Sequence, residues 1–339
     1  MTDNAAEIAT QVARLDERVR QVVNDLLPSE HANPSLAEYY ALLREYPARA
    51  GKGIRSRITL LSALAHGGTP ESVTTPAAAI ELFQDWVLIH DDIEDDSDER
   101  RGSPALHKLV GVPVAINVGD GLHVYMWDLL LRDKDLPRAV LAEFVHTIHR
   151  TAEGQHLDLS WVLDGRLDIT EDEYLEMVRL KTALYTVVTP LRLGAICAGV
   201  QPGDQLAAAG EKLGVAFQIR DDVLNLLGGE EYGKEFAGDL YEGKRTLILA
   251  HLLSHASAGH RDEAMERLSR PRRERTAHDV ERLLQLIRHY RSLEYAQEVA
   301  AGYADEGLEL FQEASQQLPG RGAQEQLRVL LETMAKRTS

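Results

Sequence analysis

Residues 80–102 read IELFQDWVLIHDDIEDDSDERRG. An apolar lead-in runs directly into Asp91, Asp92, Glu94, Asp95, Asp96, Asp98 and Glu99, and Arg100 and Arg101 follow at once. On a helix turning about 100° per residue, Asp91 and Asp95 share one face, and Gln84 lies on it two turns earlier. A solvated acidic face is the usual fate of a charge run. Here the lead-in is too apolar for an exposed helix. Two carboxylates roughly 4 Å apart also repel by about 4 kcal/mol at an effective dielectric of 20. A half-buried cluster of this kind needs a counter-charge. Oxygen ligands suit Mg2+, which is commonly held by one or two carboxylates together with phosphates.

A second cluster, FQIRDDVLN, occupies residues 217–225. Gln218, Asp221 and Asn225 share a helical face, and Gly214 one turn earlier leaves room on it. Two adjacent Asp pairs, each leaving an apolar helix, can face each other across a cavity. Cations accompany them. Lys52 and Arg55 share a face if a helix starts there. Arg100, Arg101, Lys181, Lys234 and Lys244 are further candidates. Each alone reads as a solvent-exposed cation. Together they match phosphate, which Arg meets bidentately and Lys as a point charge.

The rest of the chain is helical in period. Residues 5–27 and 141–163 place apolar residues at spacings of three and four. Thr170 and Glu173 read as a capping box, opening a helix that runs through Met177 and Lys181 towards Pro190. No convincing strand pair is present. Gly67-Gly68-Thr69-Pro70, Pro202-Gly203, Gly228-Gly229 and Pro319-Gly320 punctuate the helices. Residues 228–244 read as a flexible loop, and residues 269–279 (SRPRRERTAHD) as a solvated one. With no dividing linker, the expectation is one all-α domain over residues 1–339, with about ten or more helices.

Composition bounds the function. Asp and Glu number 54 against 37 Lys and Arg, for a net charge of −17. That field repels nucleic-acid phosphates, so nucleic acid is not an expected partner. Cys197 is the one cysteine, which rules out an intrachain disulfide and points to a reducing, cytoplasmic setting. The polar start lacks a signal-peptide core, and no run of apolar residues is long enough for an integral membrane segment.

From about Lys52 to Arg245 the sequence resembles the trans-isoprenyl diphosphate synthases of the polyprenyl synthetase family. Asp91-Asp92-x-x-Asp95 with Arg100-Arg101-Gly102 matches the first aspartate-rich motif. Gly154-Gln155-x-x-Asp158-Leu159 and Lys181-Thr182 match the next two elements. Phe217-Gln218-x-x-Asp221-Asp222 matches the second aspartate-rich motif, and Gly238-Asp239 with Gly243-Lys244 the loop after it.

The resemblance implies an isoprenoid-synthase helical bundle around a central cavity, typically a homodimer. It implies that Asp91, Asp92 and Asp95 hold two Mg2+ and that Asp221, supported by Asp222, holds a third. Arg100, Lys181, Thr182, Gln218, Lys234 and Lys244 would contact an allylic diphosphate. Lys52, Arg55, Gln84 and Arg101 would bind isopentenyl diphosphate. The reaction would be ionisation, condensation and elimination, which needs no side-chain nucleophile.

Three positions depart from the family pattern: Gly53 stands where Arg is common, Gln84 where His is common, and Asn225 ends the second motif in place of Asp. Phe83, Trp86 and Val87 form a stripe beside the acidic face. The bland reading is helix packing. The resemblance makes Trp86, five residues before the first motif, a stop to chain growth, and this favours a C20 product with C15 next. The alternatives are a class I terpene cyclase, whose second motif differs from Asp221-Asp222-x-x-Asn225, and a non-catalytic synthase subunit, in which one acidic motif would be expected to be lost.

Overall fold

The computed structural model describes residues 2–49, 51–228 and 236–336, with the side chains of residues 2–6 left aside. The chain opens with α1 (Thr2–Leu26), α2 (Pro34–Leu43), α3 (Glu45–Ala48), α4 (Ile54–Ala65) and α5 (Pro70–Glu94). A short hairpin, β1 (Glu99–Arg100) and β2 (Ser103–Pro104), precedes α6 (Leu106–Val110), α7 (Val112–Arg132) and α8 (Arg138–Leu163). Next come α9 (Glu171–Val178), a π-helical stretch (Arg179–Val188), α10 (Thr189–Cys197) and α11 (Asp204–Leu227). The rest is α12 (Gly238–Glu242), α13 (Leu247–His255), α14 (Ala258–Leu268), α15 (Ala277–His289), α16 (Ser292–Ser315) and α17 (Arg321–Ala335). The all-α reading holds.

The local chemistry explains several boundaries. Pro70 sits in the first turn of α5, where its missing N–H costs nothing. The Thr170 capping box forms in both directions with Glu173. A second box, Thr276 with Asp279, opens α15 inside the segment read as a solvated loop. That reading needs correction. Arg275 is buried, and its guanidinium donates to the carbonyls of Tyr241, Leu268 and Arg270. Arg272 reaches Asp98 at 3.3 Å and Glu242 at 3.5 Å. In so acidic a chain, a basic segment finds carboxylates and orphan carbonyls to satisfy.

Two more expectations change. The hairpin was missed because its strands are two residues long, too short for alternation to register. Glu99 faces Pro104 and Arg100 faces Ser103. Arg101 and Gly102 both take left-handed φ, 55° and 71°, as a tight primed turn requires. The helix from Thr170 does pass Lys181, but its middle is π-helical over Arg179–Val188. Such turns recur at functional sites. Gly154 of α8 packs so closely here that a Cβ would lie 2.3 Å from the Lys181 backbone nitrogen. On the other side, a Cβ on Gly214 of α11 would lie 2.5 Å from the Ala183 Cα. The room read at Gly214 is therefore taken up by Ala183.

Three apolar clusters build the bundle. One joins α1, α2, α4, α5, α7 and α8 around Tyr46, Phe83 and Phe144. Another joins α9, α11 and α13–α16. The third packs α4, α10, α11, α16 and α17 around Phe311. Between them, α5 and α11 deliver their acidic ends to one cavity.

Candidate active site

The cavity holds about 420 Å3. Asp91, Arg100, Arg101, Gln155, Asp158, Lys181, Thr182, Gln218, Asp221, Asp222 and Lys244 line its polar part. Phe83, Trp86, Val87, Leu88, Ile148 and Tyr185 line its apolar part. The spacing on two helices thus brings both acidic motifs to one space.

The two Asp pairs are built alike. In each, the first acid faces the cavity and the second is buried and held by a tyrosine; Asp92 lies behind the cavity wall, whereas Asp222 still lines it. Asp92 is wholly buried: Tyr46 Oη donates to it at 2.5 Å and Arg100 Nε at 2.7 Å. Asp222 accepts from Tyr174 Oη at 2.7 Å and from Gln218 Nε2 at 2.8 Å. Burial pushes the Asp222 carboxyl up to about 6, despite those two donors. Thr182 Oγ1 donates to Gln218 Oε1 at 2.8 Å, which fixes which end of the amide faces Asp222.

Cations interleave with the acids. Lys181 Nζ lies 2.5 Å from Asp158 Oδ2 and 3.3 Å from Asp91 Oδ1. Lys244 Nζ lies 2.6 Å from Asp95 Oδ2 and 3.4 Å from Glu242. Burial opposes the charge of both lysines, but these carboxylates outweigh it and hold both above their ordinary range. Burial pushes the Asp95 carboxyl up to about 7, Lys244 resisting and Asp91 and Glu242 adding to it. Arg100 Nη2 lies 3.2 Å from Asp91 Oδ2. Asp158 and Gln155 thereby gain roles: one holds Lys181, and the other donates to Asp91 at 3.3 Å and to Glu94 at 2.6 Å.

A second basic group sits on the α4 side. Arg55 donates to Thr186 Oγ1 at 2.9 Å and lies over the Tyr185 ring at 4.4 Å. Arg101 Nη1 donates to Asp85 Oδ1 and to the Tyr46 carbonyl, each at 3.2 Å. Gln84 Oε1 and Arg55 Nε are buried with no hydrogen-bond partner among the described residues, and both residues line the cavity. Lys52 is exposed just before α4. Gly53, the departure from Arg, caps α4 at a left-handed φ of 58°, a conformation suited to glycine.

At the apolar end Trp86 stacks on His123 of α7, centroids 3.9 Å apart and planes 7° apart. His123 Nε2 accepts from Trp127 Nε1 at 2.9 Å. Phe83 meets Trp86 and Tyr185 edge-on, at 5.5 and 5.4 Å.

Some expected residues lie elsewhere. Asn225 is buried, and its Oδ1 accepts from the Asp239 N–H at 3.1 Å; it braces the start of α12 rather than facing the cavity. Lys234 lies outside the described residues. Asp96 and Asp98 lie outside the cavity, partly exposed and paired with Lys108 at 2.8 and 2.9 Å. Sequence reasoning missed Tyr46, Tyr174, Asp85 and Glu242, none of which carries a local motif signal.

The donor set can be tested against a metal. No three acid, histidine or cysteine side chains among the described residues cluster tightly enough to hold an ion unaided. The available donors are carboxylate oxygens on two facing helices, two of them neutralised by lysine ammonium groups. That set fits a small hard cation completed by substrate phosphate and water.

A helical bundle that directs two acidic helices, fixed cations and an apolar shaft onto one cavity defines a transferase of prenyl diphosphates. The chain belongs to the polyprenyl synthetase family, whose model matches residues 37–287. It is 36% identical to a short chain isoprenyl diphosphate synthase of Methanothermobacter thermautotrophicus, covering 88% of this chain and 90% of that one. It is 34% identical to a geranylgeranyl diphosphate synthase of Saccharolobus solfataricus, covering 78% and 80%. A geranylgeranyl pyrophosphate synthase from Corynebacterium glutamicum, solved with isoprenyl diphosphate and magnesium, superposes with TM-score 0.84 at 29% identity, over 96% and 99% of the chains. Relatives at 31% and 33% identity are named for geranylfarnesyl and octaprenyl diphosphate, so the relatives span several product lengths. Among the described residues no helix is long and apolar enough to cross a membrane.

Proposed function

We propose that this enzyme condenses isopentenyl diphosphate with an allylic diphosphate to a short-chain product, C20 favoured and C15 next. The observation that carries the reading is one cavity with Asp91, Asp221, Lys181 and Lys244 at its polar end and Trp86 and Phe83 at its apolar end. About three Mg2+ bound with the diphosphate supply Lewis-acid stabilisation of the departing group. Asp91, Asp95 and Asp221 offer the carboxylates that hold them. Asp92 and Asp222, tied to Tyr46 and Tyr174, keep those carboxylates aimed.

Arg100, Lys181, Gln218 and Lys244, with Lys234, receive the allylic diphosphate and its growing charge. Lys52, Arg55, Gln84 and Arg101 bind isopentenyl diphosphate. The apolar wall keeps water from the carbocation-like allylic carbon while the isopentenyl double bond attacks it. The proton then leaves to the departing diphosphate. The exposed apolar stripe Val112, Ile116, Val124 and Leu131 on α7 supports a homodimer.

The test incubates the protein with isopentenyl diphosphate, Mg2+ and C5, C10 or C15 allylic diphosphates, and sizes the products. Condensation ending mainly at C20, and lost with excess chelator, is expected. No condensation with any primer would sink the synthase reading, and a cyclised hydrocarbon would replace it with a cyclase.

A further inference from the structure

We infer that Asp85 is a positioning residue for isopentenyl diphosphate, its carboxylate holding the Arg101 guanidinium in the orientation that receives the diphosphate. The inference rests on the condensing reading above.

Asp85 is 6% exposed and does not line the cavity, whereas Arg101, which it touches, does. The guanidinium is boxed on three sides. Asp85 Oδ1 and the Tyr46 carbonyl each accept from Nη1 at 3.2 Å, and Gly51 lies so near that a Cβ there would sit 3.0 Å from Nη2. A side chain with several rotatable bonds is thereby left one direction for its remaining donors. The turn before repeats the device. Glu81 Oε1 accepts from the Ser56 N–H at 3.0 Å and anchors the start of α4 beside Arg55. Two acids one turn apart on α5 therefore fix the two arginine-bearing segments of the site.

A carboxylate is a costly choice at this depth. Burial pushes Asp85 up to about 7, Arg101 pulling it back and Glu81 adding to the rise. A neutral residue would fold more easily. Orientation of Arg101 accounts for an acid there, because a carboxylate adds ion-pair attraction to the charge-assisted hydrogen bond and fixes the planar guanidinium fork.

The experiment measures, at pH 8 where the buried acid is ionised, kcat and both KM values for the wild type, Asp85→Asn, Arg101→Met and the double variant, with isopentenyl diphosphate and a C10 allylic diphosphate. Asp85→Asn is expected to raise KM for isopentenyl diphosphate about tenfold, with kcat and the allylic KM within about twofold. On the Arg101→Met background the same change should add less than about twofold, the mark of acting through Arg101. The inference is overturned by an unchanged or lower KM for isopentenyl diphosphate, by equal rises in both KM values, or by full additivity. A wild type that condenses nothing would remove the functional reading itself; a condensing wild type with an unaffected variant removes this inference alone.

Discussion

Asp85 also carries a stability prediction of definite sign. An unperturbed aspartate titrates near 4 and the buried one near 7. Between those values the folded chain keeps a proton that the unfolded chain has released. Stability therefore falls as pH rises through that window, by up to about 1.4 kcal/mol per pH unit. Arg101, Glu81 and Arg55 are the charges that set the position of the window. Asp95 and Asp222 tilt the wild type and any Asp85 variant alike, so the difference between the two proteins is the signal. Asp85→Asn should melt close to the wild type at pH 5 and above it at pH 8. Parallel melting curves from pH 5 to 8 would remove Asp85 from this role. Little of this was legible in the sequence, where Asp85 is a single acid inside an apolar run. Likewise Asp91 and Asp92 are the same residue side by side. What separates them is Tyr46, 46 positions away in sequence, which claims one and leaves the other to the cavity.

The acidic helices were legible because period and charge coincide: apolar positions set the buried face of α5, and Asp91 lands on the cavity side. The π-helical stretch was not legible, because the residues packed against its backbone, Gly154 and Gly214, belong to two other helices. That close packing makes it sensitive to one methyl group. Gly154→Ala would bring a Cβ against the backbone of Lys181, which cannot swing aside as a side chain can. A cost of about 1–3 kcal/mol in denaturant unfolding is expected. It should come with a loss of activity larger than the stability loss explains, since Lys181 is displaced from Asp91 and Asp158. Wild-type stability in that variant would show that the contact relaxes freely. On α5, Trp86 lines the apolar part of the cavity and stacks on His123. Trp86→Ala removes the ring and opens the cavity towards α7. Its products, sized by chromatography, should be longer by one or more isoprene units. Unchanged length would take Trp86 out of chain-length control.

At the scale of the molecule, charge organises what the helices leave open. The Asp96–Asp98 end of α5 and Glu242 after α11 are joined through Arg272, and Lys108 binds the first of these ends from α6. The basic segment after α14 thus ties the end of the first acidic run to α12, a role invisible in a proline-broken run of arginines. The two faces of α7 were equally hidden in an apolar helix. One buries Ala115, Val118, Leu122 and Met126 in the core. The other leaves Val112, Ile116, Val124 and Leu131 at 44, 42, 65 and 67% exposure, spaced four, eight and seven residues apart along a single stripe. The exposed Asp120 interrupts the stripe between Ile116 and Val124, leaving two apolar patches on an otherwise strongly acidic chain, and such patches mark an interaction surface. A second copy of the chain is the proposed occupant, because two acidic surfaces repel least where mainly apolar faces meet. Val124→Asp with Leu131→Asp should shift the protein from dimer to monomer in light scattering at micromolar concentration. Far-ultraviolet circular dichroism should stay unchanged, because neither side chain contributes to the core. A wild type that is monomeric, or a doubly substituted protein that stays dimeric, would move the interface off this stripe.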